Sequence, residues 1–100
     1  MKSFTFLVVF ALFSATVRAE EMTGEEVYNE TCSMCHGTIM SIAPRMGDKT
    51  AWAPRIKQGE DALVQHALHG YGQMPARGGI GSLTDGEVKD AVHYMVSHSQ

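Results

Sequence analysis

The sequence has few of the residues that would reveal its class by composition alone. It contains two cysteines among 100 residues, so at most one internal disulfide can form and a disulfide-rich scaffold is excluded. The chain has eight basic and eleven acidic side chains. This mildly acidic balance lacks the excess of positive charge that is typical of a nucleic-acid binder. With 44% hydrophobic and 19% charged residues, the composition is that of an ordinary globular protein, and its length suits one domain.

The first nineteen residues have the features of a secretory signal sequence. Lys2 gives a positive start, and an apolar or neutral stretch runs from Phe4 to Phe13. Val17 and Ala19 are small residues at the −3 and −1 positions of a cleavage point. We therefore expect removal of this segment after Ala19.

An uncleaved membrane anchor is the alternative interpretation of the same segment. Even the stretch from Phe4 to Val17 would give only about 21 Å of helix, against a hydrocarbon core of about 30 Å. The chain is thus predicted to consist of a signal peptide (residues 1–19) and one exported domain (residues 20–100). No stable membrane insertion is expected after cleavage, and no long apolar run follows residue 19.

A domain of this size has a small core, and small exported domains usually add a disulfide, a metal or another covalent staple. The two cysteines lie in the string Cys32-Ser33-Met34-Cys35, followed directly by His36. Cys-x-x-Cys-His is the attachment signal of c-type haem. Two sulfurs one helical turn apart can each add to a different vinyl group of the porphyrin, and the adjacent histidine can then present a ring nitrogen to the iron.

Three other interpretations of the cysteine pair remain. A disulfide between Cys32 and Cys35 would close a loop too short to stabilise much. A thioredoxin-type redox pair needs a strand before the motif, and no strand pattern precedes Cys32. A zinc site needs about four ligands, so distant histidines would have to contribute.

Haem iron in electron carriers often takes a methionine as its second axial ligand. The segment after residue 19 holds six candidates: Met22, Met34, Met40, Met46, Met74 and Met95. Met74 differs from the others because it follows His36 by 38 residues and lies in the glycine- and proline-rich string Gly70-Tyr71-Gly72-Gln73-Met74-Pro75. Such a string forms an irregular loop rather than a helix, so Met74 is the predicted ligand.

The rest of the domain has helical patterns and no alternating strand pattern. Thr23-x-x-Glu26 is a capping box that predicts a helix running into the attachment turn. A loop is expected over residues 37–49, a short helical turn over 51–57 and a helix over 59–68.

A second capping box, Thr84-x-x-Glu87, predicts the last helix. Its apolar residues recur at helical spacing and form one stripe: Val88, Ala91, Val92, Met95 and Val96. The predicted fold class is all-α.

Several further motifs follow in order from one end of the domain to the other. They are Val27-Tyr28-Asn29, Ala43-Pro44-x-x-Gly47-Asp48, Ala51-Trp52-Ala53-Pro54-Arg55, Met74-Pro75-x-x-Gly78-Gly79, and Glu87-Val88 with Ala91-Val92 and Tyr94-Met95. Together with the Cys-x-x-Cys-His string, these motifs make the chain resemble the class I c-type cytochromes, and most closely the small bacterial cytochrome c5 group. The resemblance covers essentially all of residues 20–100 and implies the small class I cytochrome c fold, with helices wrapped around one haem.

The resemblance also implies a set of haem contacts. One haem c would be attached through thioether bonds from Cys32 and Cys35, with His36 and Met74 as the axial ligands of the iron. The carbonyl of Pro44 would accept the second ring N–H of His36, which fixes the tautomer of the ligand.

Two more side chains are candidates for contact with haem, and the resemblance also implies how two helices pack. Trp52 could donate its indole N–H to a haem propionate and Arg55 could pair with one, with simple core and surface roles as the alternatives. The first and last helices would pack crosswise and bring Gly24 and Tyr28 near Tyr94.

With both axial positions filled, the iron would have no open site for a substrate. The sequence therefore predicts an electron carrier rather than an enzyme. Its iron would cycle between Fe(II) and Fe(III) in the periplasm. Its partners would be redox proteins of a respiratory chain, such as cytochromes, reductases or a terminal oxidase. If Met74 does not bind, a weak peroxidase or gas sensor is the alternative; without haem, a thiol–disulfide or metal-binding module is left.

Overall fold

The structure is a computed structural model and describes residues 3–5 and 20–100; apart from residues 3–5, the predicted signal sequence lies outside these residues. Helices dominate this part of the chain: α1 Gly24–Val27, a π-helical segment Tyr28–Cys32, α2 Ser33–His36, α3 Lys49–Ile56, α4 Glu60–His69, a 3-10 helix Ala76–Gly79 and α5 Asp85–Ser97. No strand occurs in the described residues, and the all-α prediction is confirmed. Among those residues, none of the helices has the length and apolarity that a membrane crossing requires.

The first helical stretch runs without interruption from the predicted cap to the attachment motif. The Thr23 hydroxyl accepts a hydrogen bond from the Glu26 amide at 3.2 Å, as the capping pattern predicts. Between α1 and α2 the helix widens, because the Ser33 amide donates to the Tyr28 carbonyl five residues earlier. Such π-helical turns occur frequently at functional sites, and this one ends at Cys32.

Helix α3 begins earlier than the sequence patterns predict. The Asp48 side chain accepts from the Ala51 amide at 3.1 Å and caps the helix, which then starts at Lys49. Pro54 lies inside the helix. Because proline has no N–H, residue 54 donates no bond to the Thr50 carbonyl one turn earlier; the helix continues for two more residues and ends at Ile56.

The two longer helices agree closely with prediction. Helix α4 is shifted by one residue from the predicted range 59–68. Helix α5 has the complete capping box: the Thr84 hydroxyl accepts from the Glu87 amide at 3.1 Å, and the Glu87 carboxylate accepts from the Thr84 amide at 2.9 Å.

The core lies where α1, α4 and α5 meet. A Cβ built on Gly24 would stand 2.3 Å from the Asp90 carbonyl oxygen, so α1 crosses α5 with backbone against backbone. The rings of Tyr28 and Tyr94 pack 5.5 Å apart at the same crossing, as the resemblance implies. The predicted stripe of α5 is buried in full: Val88, Ala91, Val92, Met95 and Val96.

Glu87 ties the start of the domain to its last helix. Besides capping α5, its carboxylate accepts a hydrogen bond from the Met22 amide at 3.0 Å. The bonds from the Thr84 and Met22 backbones lower the pKa of Glu87 below its ordinary value.

This carboxylate predicts an acid-sensitive stability. A folded-state pKa below the unfolded value means that the stabilisation is complete above the unfolded pKa and is lost as the pH falls through the folded pKa. We expect the free energy of unfolding to decline below about pH 5. In the Glu87→Gln variant this free energy should decline less steeply with falling pH. Denaturant unfolding at a series of pH values measures this dependence. Glu25→Gln, at an exposed position of α1, is the control. If the unfolding free energy of Glu87→Gln and of the unsubstituted protein falls equally steeply with pH, the acid sensitivity does not come from Glu87.

Candidate haem-binding site

The attachment motif occupies the end of the first helical stretch. Cys32 closes the π-helical segment, Cys35 lies in α2 and His36 is the last residue of that helix. Cys32 is half-buried, Cys35 is exposed and His36 is buried. Both thiols are free, so the disulfide between them is absent from the structure.

The loop after α2 folds back and holds His36 from two sides. The Nδ1 atom of the ring donates to the Pro44 carbonyl at 2.8 Å, which is the hydrogen bond that the resemblance implies. The Met46 amide donates to the His36 carbonyl at 2.7 Å. With Nδ1 occupied as a donor, the lone pair of the neutral ring is on Nε2, which is the arrangement typical of a metal-ligating histidine.

Trp52 supports this loop from inside the protein. It is buried, and its ring lies 6.0 Å from the His36 ring. Its indole N–H donates to the Arg45 carbonyl at 2.9 Å, one residue after Pro44. The structure thus places Trp52 in the core and reveals Arg45 as a partner for which the sequence has no signal, while contact of Trp52 with a haem propionate stays a prediction.

Arg55 lies on the same side of the protein. Its guanidinium donates to the Ala51 carbonyl at 2.6 Å, one turn back along α3. The half-buried side chain lines a cavity of about 620 Å³ together with Pro44 and Arg45. The predicted residues His36, Pro44, Trp52 and Arg55 are therefore gathered around one loop.

Met74 lies on the other candidate segment, between α4 and the 3-10 helix. Its amide and carbonyl both bond to Tyr71, at 2.9 Å and 3.0 Å, which closes a tight turn. Gly72 takes a φ of 57° inside this turn, where a side chain would be unfavourable. The Met74 side chain is half-buried and packs against the core, and the segment is an irregular loop as predicted.

The 3-10 helix that follows Met74 touches the helix that carries the cysteines. A Cβ built on Gly78 would lie 2.8 Å from the side chain of Thr31, the residue before Cys32. The segment that holds Met74 is thereby packed against the attachment motif.

The other methionines are placed in ways that favour Met74. Met34 is 80% exposed and Met40 is 89% exposed, while Met95 is 3% exposed in the core of α5. Met46 lies in the same loop as Pro44, and its amide bonds to the His36 carbonyl.

The described residues also bear on the alternatives for the cysteine pair. Burial raises the pKa of the Cys32 thiol, whereas a thioredoxin-type nucleophile needs a lowered pKa. In residues 3–5 and 20–100, no three side chains of histidine, cysteine, aspartate or glutamate are grouped so that they could hold a metal ion. The donor set of an imidazole, a thioether and two free thiols fits haem c instead.

Comparison with known proteins shows the family to which the chain belongs. A family model described as cytochrome c oxidase, cbb3-type, subunit III matches residues 19–95. A cytochrome c-555 of Chlorobaculum tepidum is 49% identical over 81 residues, which cover 77% of this chain and 75% of the relative. A cytochrome c5 of Azotobacter vinelandii is 37% identical over 75 residues, which cover 73% of this chain and 90% of that protein.

A solved structure has the same fold. It is titled as an electron transfer complex of nitrite reductase with cytochrome c, and the match has a TM-score of 0.72 and 42% sequence identity. The match covers 77% of this chain and 94% of the other.

The helical fold, the attachment motif and these relatives define the class: the chain belongs to the c-type cytochromes of class I. Within that class it is near cytochrome c-555 and cytochrome c5. It is therefore an electron carrier rather than an enzyme, and its cofactor is a covalently attached haem c with iron.

Proposed function

We propose that this cytochrome carries single electrons between redox proteins of a respiratory chain in the periplasm. Its haem would be attached through Cys32 and Cys35, with His36 and Met74 as the axial ligands. The observation that carries the assignment of His36 is the 2.8 Å hydrogen bond from its Nδ1 atom to the Pro44 carbonyl. Bound in this way, the iron supplies one-electron exchange between its ferrous and ferric states.

The surroundings of His36 suit it to bind iron. The hydrogen bond to Pro44 selects the tautomer with its lone pair on Nε2 and limits rotation of the ring. Trp52 fixes the neighbouring carbonyl of Arg45, so the loop that orients His36 is anchored to α3. Rigid ligands suit electron transfer, because little has to move when the charge changes.

Cys32 and Cys35 would hold the cofactor from the same helical turn. Their spacing places both sulfurs on adjacent positions of one turn, and both are unpaired thiols. Met74 would complete the coordination from its separate loop. With His36 and Met74 both held by the iron, the chain would offer no position at which a substrate could bind it.

The location and the partners are supported by two observations. Residues 1–19 have the pattern of a secretory signal. The solved structure that shares the fold is titled as a complex with nitrite reductase, which supports a redox enzyme as the kind of partner. Weak redox complexes of this kind typically bury less than about 1,200 Å².

Covalent attachment is tested by visible spectra of the exported protein, oxidised and reduced, before and after acid–acetone extraction. We expect the haem spectrum to remain with the protein, and Cys32→Ala with Cys35→Ala to abolish it. Ser33→Ala is the matched control, because Ser33 lies between the two cysteines and bonds to the Asn29 carbonyl. Pigment that moves into the organic phase would overturn the thioether assignment.

Export is tested by the mass and location of the same protein. The periplasmic fraction should contain a chain that begins at Glu20 and carries the mass of one haem. A chain that keeps residues 1–19 and stays with the membrane would overturn the periplasmic assignment without affecting the haem ligands.

A further inference from the structure

The segment that holds Met74 is fastened without a covalent link. Both cysteines of the chain belong to the attachment motif, so a disulfide cannot tie residues 70–84 to the rest of the fold. The 3-10 helix Ala76–Gly79 has four residues and begins two residues after Met74. The position of Met74 therefore depends on noncovalent contacts, which include packing against the core and several hydrogen bonds.

Arg77 supplies the fastening after Met74. One guanidinium nitrogen donates to the Leu83 carbonyl at 2.8 Å, and the other pairs with the Asp85 carboxylate at 2.6 Å. Leu83 is buried, and Asp85 is the first residue of α5. The guanidinium of Arg77, three residues after Met74, thus joins this segment to the start of α5.

The backbone at Arg77 is unusual. Its φ is 54° and its ψ is 32°, and it is the only non-glycine residue of the described chain with a positive φ. This conformation is ordinarily taken by glycine, and the next two residues, Gly78 and Gly79, take it as glycines. A non-glycine residue in this conformation has a backbone cost and persists where the surrounding contacts hold it in place.

The segment is also fastened before Met74. The ring of Tyr71 stacks on His66 of α4, with centroids 4.0 Å apart and planes tilted by 15°. Tyr71 in turn bonds to both backbone groups of Met74. Met74 is consequently bracketed by a tie three residues before it and a tie three residues after it.

We propose that Arg77 is a positioning residue for Met74, which acts by fastening the loop to α5 through Leu83 and Asp85. The inference rests on the proposed function, in which the thioether of Met74 is an iron ligand. A thioether competes with external ligands through its high effective concentration, and a loosened loop lowers that concentration. The bond to the Leu83 carbonyl carries most of the effect, because the Asp85 carboxylate is 76% exposed and exposed ion pairs contribute little.

The test is a titration of the ferric holoprotein with imidazole, which displaces a weakly held sixth ligand. Arg77→Asn removes the guanidinium and introduces a residue type that tolerates a positive φ. Arg77→Gly removes both the guanidinium and the cost of the positive φ. We expect imidazole to bind about tenfold more tightly to each variant, since hydrogen bonds of a charged group are lost. Arg77→Lys, which offers a point charge without the fork, should give an intermediate affinity.

Two further variants separate the possible causes. Lys57→Asn removes an exposed cation away from the loop and should leave the imidazole affinity unchanged. Met74→Ala gives the imidazole affinity of a protein that has no thioether at this position. If Met74→Ala binds imidazole far more tightly than the unsubstituted protein while the Arg77 variants do not, the positioning role is overturned and the ligand stands. If Met74→Ala and the unsubstituted protein bind equally, the ligand assignment itself fails and the role of Arg77 fails with it.

Discussion

Met74→Ala is expected to lower the reduction potential of the holoprotein by on the order of 100 mV, within the range of about 0.8 V that axial ligands span. A thioether stabilises the ferrous state, and alanine cannot replace it. The oxidised variant should also lose the weak long-wavelength absorption band of a sulfur-ligated ferric haem. Potentiometric titration followed by visible spectroscopy measures both effects in one sample.

Two other methionines provide controls of matched size. Met95→Leu changes a side chain that is buried in the core of α5, and swaps of this kind usually cost little. Met46→Leu changes a residue whose amide bonds to the His36 carbonyl. Both should keep the potential and the sulfur band. Loss of the band in Met46→Leu, with its retention in Met74→Ala, would reverse the assignment of the ligand.

Gly24→Ala is expected to destabilise the protein by about 3 kcal/mol or more, a large part of the 5–15 kcal/mol by which domains are ordinarily stable. The new Cβ would lie 2.3 Å from the Asp90 carbonyl oxygen and 3.2 Å from the Ala91 nitrogen. Both atoms belong to the backbone of α5, which cannot turn aside as a side chain can. Relief requires the crossing of α1 and α5 to open. Denaturant unfolding of the holoprotein, followed by far-UV circular dichroism, measures the loss.

Gly86→Ala is the matched control for this substitution. A Cβ at Gly86 would meet the carboxylate of Glu21 at 3.3 Å, which is the far end of a flexible side chain. Gly86 lies in the first turn of α5, where alanine is the better helix former by up to about 1 kcal/mol. This variant should be as stable as the unsubstituted protein or more so. Equal stability of Gly24→Ala would show that the two helices are not in close contact.

The elements with local signals could be predicted from the sequence, and those without such signals could not. The capping box of Thr84 and Glu87 depends on residues three positions apart, so its pattern is visible in the chain and the predicted start of α5 is correct. The π-helical segment Tyr28–Cys32 has no such pattern. The early start of α3 had a signal in Asp48, a good N-cap residue, which the predicted range of 51–57 did not use.

At the site, the ligand candidates could be predicted from the sequence, whereas most of the hydrogen bonds that position them could not. The order Cys32, Cys35 and His36 is enough to suggest haem, and the resemblance suggests Pro44 as the partner of His36. The bond from Trp52 to the Arg45 carbonyl and the fork of Arg77 depend on where a loop turns back. A backbone carbonyl has no identity in the sequence, so partners of this kind become visible only in three dimensions.

The contacts between the two ends of the domain make the attachment motif depend on α5. Met22 bonds to Glu87 and Tyr28 packs on Tyr94, so these contacts join residues that lie far apart in the sequence. Helix α1 continues into the π-helical segment and α2, which carry Cys32, Cys35 and His36. A substitution that loosens α5 would therefore also loosen the turn that presents the two thiols.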